Sequence, residues 1–265
     1  MSVNPVLPRK VLVVHGVQIG EDDDQRQDVQ IQQNIEGRLG GIPLEFETEM
    51  FTYEDLNDQA QKKWKRLLKL LVAGPIGVVA EKALDLVGDV VTAKLDTSTA
   101  HEIRQGLRQK ILDIYEEGNP CYLVAHSLGS IYAFDVVNKL MREKELFDRA
   151  SRKTWPIQGL VTLGSPIGIG MFRKGRTQVA KLGEGTKWFR WINYWDRTDP
   201  VVSGSIFGKQ ISGYDIAEKY RKEDPKQGWI IRDKPLDTGR TWLLAHVAYW
   251  DHPVVGDGLA DLIAN

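Results

Sequence analysis

Ser127 stands in the run Ala125-His126-Ser127-Leu128-Gly129. A serine hydroxyl becomes a useful nucleophile when a neighbouring base takes its proton and a sharp turn lifts it clear of the backbone. Such a turn needs small residues two before and two after the serine. Gly129 meets that need, and Ala125 carries the smallest side chain that can stand in for glycine. The base would be an imidazole, and a carboxylate would orient it. His246 lies in the small, apolar run Leu244 to Trp250, a setting for a buried and oriented ring. It is preferred to His252, whose Asp251-His252-Pro253 surroundings read as a turn or a helix start. His101 falls on the polar side of a helical pattern.

The candidate carboxylates are Asp196 and Asp199, which His246 and His252 follow along the chain. Asp199 is preferred because Pro200-Val201-Val202 would hold its loop rigidly against a sheet. Asp196 could cap the turn through its own side chain. Both stay open at this level. A reaction that passes through a tetrahedral oxyanion also needs two preorganised N–H donors. Leu128, directly after the serine, would supply one. Val17 would supply the other, with Gly16 letting the backbone approach a substrate. His15, His126 and Gly129 are the supporting neighbours, His126 being expected to point elsewhere on the turn. Each piece alone has a plainer reading: a serine that caps a helix, aspartates that close turns, a solvent-facing His15.

The elements that must position these residues are legible as alternating strands and helices. Short β-branched or aromatic runs mark strands at 10–14, 44–51, 121–125, 159–163 and 191–195, with another at 229–232. Helical patterns fill 27–39, closed by Gly40-Gly41, and 101–117, with Ile103, Leu107, Ile111 and Ile114 on one face. Another runs over 130–142. Strands alternating with helices predict a mostly parallel sheet covered on both faces. The length of 265 residues fits one such domain.

Residues 54–95 form an insertion in this plan, and 67–91 are dense in apolar residues. The longest uncharged run, 70–80, is far short of the roughly 20 residues that span a bilayer. Gly74-Pro75 interrupts it. A helical cap over an apolar pocket and a helical hairpin packed on the sheet both fit. Lys62, Lys63, Lys65, Arg66 and Lys69 could favour transient contact of the 62–91 segment with an anionic membrane surface, or form a solvated face.

Formal net charge is −1, with no basic excess to mark a nucleic-acid partner. The single Cys121 fits a reducing compartment, and Val11 to Val14 is too short for a signal-peptide core. A cytoplasmic location is therefore expected. No HExxH or comparable metal-ligand spacing is present, so no metal is expected. Six of the eight tryptophans lie between 188 and 250, as a pocket lining or a tryptophan-rich core. The acidic run Glu21 to Asp24 could disfavour anionic substrates.

Five segments occur in the order seen in α/β-hydrolases: Val-Leu-Val-Val-His-Gly at 11–16, Val-Ala-His-Ser-Leu-Gly-Ser at 124–130, Leu-Gly-Ser-Pro at 163–166, Asp-Arg-Thr-Asp-Pro-Val at 196–201 and Ala-His-Val-Ala-Tyr-Trp at 245–250. The chain resembles the lipase and esterase branch of that superfamily. It is similar to serine esterases related to inositol-deacylase-type lipases. The resemblance implies an α/β-hydrolase fold, a serine, acid, histidine order along the chain, ester hydrolysis and no cofactor. Thioester, amide or acyl-transfer chemistry would use the same residues, and a catalytically silent module that binds a lipid or a protein would share the fold.

Overall fold

The computed structural model describes residues 7–15, 26–41, 44–52, 97–147, 155–173, 175–176, 189–203, 214–223, 230–240 and 243–264. The expected cap at 54–95, the basic cluster within it, the acidic run at 21–24, and Gly16 and Val17 lie outside these residues.

Six strands form one sheet: β1 (Arg9–Val14), β2 (Phe46–Phe51), β3 (Cys121–His126), β4 (Ile157–Leu163), β5 (Arg190–Asp196) and β6 (Ile230–Leu236). Every pairing is parallel, in the order β2-β1-β3-β4-β5-β6. Eight helices are described: α1 (Gln27–Leu39), α2 (Ser98–Glu116), α3 (Leu128–Leu140), α4 (Gly170–Arg173), α5 (Pro200–Ser203), α6 (Ile216–Glu223), α7 (Leu243–Val247) and α8 (Pro253–Ala264). This is the expected α/β class.

The apolar strand runs bury both of their faces, because successive side chains point to opposite sides. Leu12, Val14, Leu123 and Ala125 share one core with Ile103, Leu107 and Ile111 of α2 and with the α3 residues Ile131 and Phe134. Val11, Val13, Tyr122 and Val124 face the other way, onto Ile31 and Ile35 of α1 and Val255 and Leu259 of α8.

Most strand boundaries shift by one or two residues from the sequence expectation, and three differences have a structural reason or consequence. The helix after Ser127 begins at Leu128 and ends at Leu140, earlier than 130–142. The turn is therefore tighter than four residues, and Ser127 itself is the hinge. The helix expected from 101 starts at Ser98, because the Thr97 side chain accepts the Ala100 N–H at 3.2 Å and caps it. The last strand runs on to Leu236 rather than stopping at 232. Pro235 in that extension pairs with Trp195 on the outermost described strand, the place in a sheet where proline is tolerated.

Strand order reverses between β1 and β3. The chain leaves β1 outward to β2, then returns past β1 to build β3 through β6 in the opposite direction. Open parallel sheets form their binding crevice at the carboxyl ends of the strands beside such a reversal. His15 follows β1 and Ser127 follows β3, so both sit at that point.

Candidate active site

Ser127 joins β3 directly to α3 with φ 52° and ψ −129°. Apart from Asp215 it holds the one positive φ of a non-glycine residue among the described residues. A side chain in that region is strained, and the surrounding structure must hold it there. The hold is visible: Ser127 N–H donates to Leu163 O at 3.0 Å, and its carbonyl accepts from Ser130 N at 3.0 Å and from the Ser130 hydroxyl at 2.5 Å. Ser130 Oγ also lies 2.6 Å from Ser165 Oγ, which ties the turn to the end of β4.

Gly129 is required by close approach. A Cβ there would lie 2.5 Å from His15 O and 2.6 Å from Val14 O, both backbone atoms. The helix therefore rises against the end of β1, which brings the two strand ends of the reversal together.

Although Ser127 occupies the position before α3, its hydroxyl makes no capping bond. It points instead to His246 Nε2, 2.8 Å away. His246 Nδ1 is 2.9 Å from Asp199 Oδ2. A carboxylate only accepts, so Nδ1 carries the ring proton and Nε2 presents its lone pair to the serine hydroxyl. Asp199 is fully buried and His246 nearly so. Asp199 Oδ1 also accepts Val201 N–H at 2.9 Å and Val202 N–H at 3.4 Å, from the first turn of α5. The Pro200-Val201-Val202 segment thus fixes the carboxylate by its backbone.

Asp196 is not part of this chain of contacts. Its Oδ1 accepts the Thr198 N–H and its Oδ2 accepts the Thr238 N–H, both at 2.7 Å, with both threonine hydroxyls at 2.7 Å as well. It closes the turn after β5 and clips that turn to the segment following β6. Burial pushes its carboxyl upward, but the hydrogen bonds from Thr238 and Thr198 outweigh it and hold the group below the usual carboxylate range.

His126 ends β3 and is buried behind the base. Its ring centroid is 4.6 Å from that of His246 and 5.0 Å from that of Trp250. Its Nε2 donates to the His246 carbonyl at 2.7 Å, so this ring grips the backbone of the residue that faces Ser127. Burial holds the imidazole neutral, well below its ordinary range, and the neighbouring His246 and His15 act in the same direction. His15 stacks on Trp250 at 5.9 Å and is also buried, not facing solvent. His252 accepts the Val254 N–H and so starts α8, while His101 is exposed beside Gln105.

Two contributors, Gly164 and Tyr249, lie in segments that carry the resemblance but receive no role from it. Gly164 follows β4 with φ 55°, and a Cβ there would lie 3.0 Å from both Asp199 Oδ2 and His246 Nδ1. Only glycine leaves room for that pair. Tyr249 donates its hydroxyl to Asp199 Oδ2 at 2.8 Å and accepts the Asp196 N–H at 2.9 Å. Burial, with the Asp199 charge beside it, raises the phenol well above its ordinary range. A tyrosine in an apolar run reads as core, so the residue pattern does not give its hydroxyl a partner.

Among the described residues no three His, Cys, Asp or Glu side chains are grouped as a metal ion would require, and no helix is long and apolar enough to cross a membrane. No family model and no curated protein matches the sequence. Among solved structures, the chain is similar to TT1662 from Thermus thermophilus at 13% identity, covering 98% of this chain and 90% of that one, with a TM-score of 0.47. It is similar to a carboxyl esterase from Bacillus coagulans at 12% identity, covering 98% and 91%, TM-score 0.42. An alpha-beta serine hydrolase homologue from Coxiella burnetii shares 8% identity, covering 98% and 86%, TM-score 0.38. Identities and scores this low bear on neither activity nor substrate.

Proposed function

We propose that the protein is a serine hydrolase of carboxylic esters, with Ser127 as nucleophile, His246 as general base and acid, and Asp199 as the orienting carboxylate. The observation that carries this reading is the unbroken contact from Ser127 Oγ through His246 to Asp199, with the serine held at a positive φ. His246 Nε2 takes the serine proton as Oγ bonds to the acyl carbon. The developing oxyanion is met by the Leu128 N–H, at the first position of a 13-residue helix where backbone donors lack intrahelical partners. Val17 is assigned the second donor, on the loop after β1. The imidazolium returns its proton to the departing alkoxide, which leaves Ser127 acylated. Water, deprotonated by the same Nε2, then releases the acid.

For substrate we assign an apolar acyl ester, lipid-like in character, in keeping with the resemblance to inositol-deacylase-type lipases and a cap at 54–95 over the acyl chain. The apolar density of residues 67–91 supports that choice. The test is a chain-length series of p-nitrophenyl esters followed at early times. The expected result is release of nitrophenol in proportion to enzyme, and kcat/KM that rises with acyl length. No turnover of any ester would reject ester hydrolysis, and a flat length series would reject the apolar pocket.

A further inference from the structure

We propose that Tyr249 is a positioning residue, acting on the base through the acid; this rests on the Ser127, His246 and Asp199 assignment above. Asp199 Oδ2 accepts two hydrogen bonds at once, from His246 Nδ1 at 2.9 Å and from the Tyr249 hydroxyl at 2.8 Å. The direction of the second bond is fixed. The Asp196 N–H can only donate, so the phenol oxygen accepts there and its single proton goes to Asp199. One side chain therefore holds the backbone of Asp196 and the carboxylate of Asp199, the two ends of the tight turn after β5. It also lies three residues beyond His246, so the segment that carries the base supplies the second donor to the acid. With Val201 and Val202 on Oδ1, the carboxylate has no direction in which to rotate without losing a bond.

A phenol on a carboxylate draws charge from it. The carboxylate then pulls less strongly on the imidazole proton, while staying aligned with it. Among the described residues, the other titratable groups around this pair are His126, from β3, His15 beyond it, Asp196 on the same turn, and Tyr214, whose hydroxyl donates to Arg197 O of that turn and which the charges of both aspartates reach. Gly164, from β4, faces it with no side chain.

Removing the hydroxyl has two separable effects. The acid loses alignment, which slows the reaction. It also becomes more basic, which favours the imidazolium and moves the acid limb of the rate to higher pH. The experiment is the second-order rate of fluorophosphonate labelling against pH. It uses the full chain as wild type, Tyr249→Phe, Tyr249→His, Asp199→Asn and the double variant Tyr249→Phe/Asp199→Asn, with folding checked by circular dichroism. Tyr249→Phe is expected to react roughly 10-fold slower, the scale of one lost bond to a charged group. Its acid limb should move upward. In the Asp199→Asn background the same change should cost less than about twofold, because the bond acts through the carboxylate. Tyr249→His keeps a ring donor and should recover part of the rate, and it serves alone if the phenylalanine chain does not fold. A Tyr249→Phe rate near wild type, an unmoved acid limb, or an equal loss in the Asp199→Asn background would overturn the proposal. Absence of labelling in the wild type would reject the Ser127 assignment on which it stands.

Discussion

Two aspartates three residues apart, Asp196 and Asp199, hold different partners. Asp199 has its donors split between an imidazole, a phenol and two backbone amides of α5. Among the described residues, the donors to the Asp196 carboxylate are the backbone N–H groups and hydroxyls of Thr198 and Thr238. The residue pattern favoured Asp199 through the proline that follows it, and left the choice open because either aspartate can close a turn. What the pattern could not carry was the partners of each Oδ2, since Thr238 lies 42 residues from Asp196 and Tyr249 lies 50 from Asp199 along the chain. A consequence for stability follows from Asp196. Its carboxyl is held below the usual range, so the folded state gains from its ionised form. That gain is complete above the unfolded value of about 3.9 and is lost as pH falls through the lower folded value. Asp196→Asn should therefore unfold earlier than wild type near neutrality. The gap between their unfolding midpoints should narrow as pH drops from about 5 to about 3. A gap that stays constant over that range would contradict the assignment.

At the scale of elements, β3, Ser127 and α3 form one unit whose geometry depends on missing side chains. The helix can start at the residue after the serine because Gly129 lets its first turn rest on the backbone of Val14 and His15. The helix itself is buried almost all round, with ten of its thirteen residues inside, so the strain at Ser127 is offset by packing along its length. The need for a small residue at 129 was legible from the five-residue pattern, and its physical cause is contact with β1. Gly129→Ala should displace backbone rather than a flexible side chain. Overpacking of this kind costs about 1–3 kcal/mol, or a fall of several degrees in Tm for a chain of this size. A thermal melt of Gly129→Ala matching wild type would show that the approach is looser than described. Ala125 shows the other side of the rule: it lies fully buried in the core with α2 and α3, where alanine fits without strain.

At the scale of the whole molecule, periodicity carried most of the architecture. Continuous apolar strands and alternating helices imply a parallel sheet, and six parallel strands are present. Strand order was not legible, because it depends on which way each crossover turns rather than on any residue pattern. It is nonetheless what assembles the site: the reversal between β1 and β3 puts His15 and Ser127 side by side. The later strands β4 and β5 then deliver Gly164 and the aspartate turn to the same end of the sheet. The polar path across these strands is also invisible in sequence. Trp191 Nε1 donates to Thr162, Thr162 to Asn193, and Asn193 to Asp233, which accepts the Ala217 N–H of α6. It satisfies buried polar groups that a wholly apolar sheet would not contain.

The proposed reaction depends on Ser127 as a nucleophile activated by His246. The most direct measurement is intact-mass analysis after treatment with a fluorophosphonate probe, on the wild type and on Ser127→Ala, followed by peptide mapping. One adduct per chain is expected, located on Ser127, and none on the alanine variant. An unlabelled wild type, or an adduct that persists in Ser127→Ala, would contradict it.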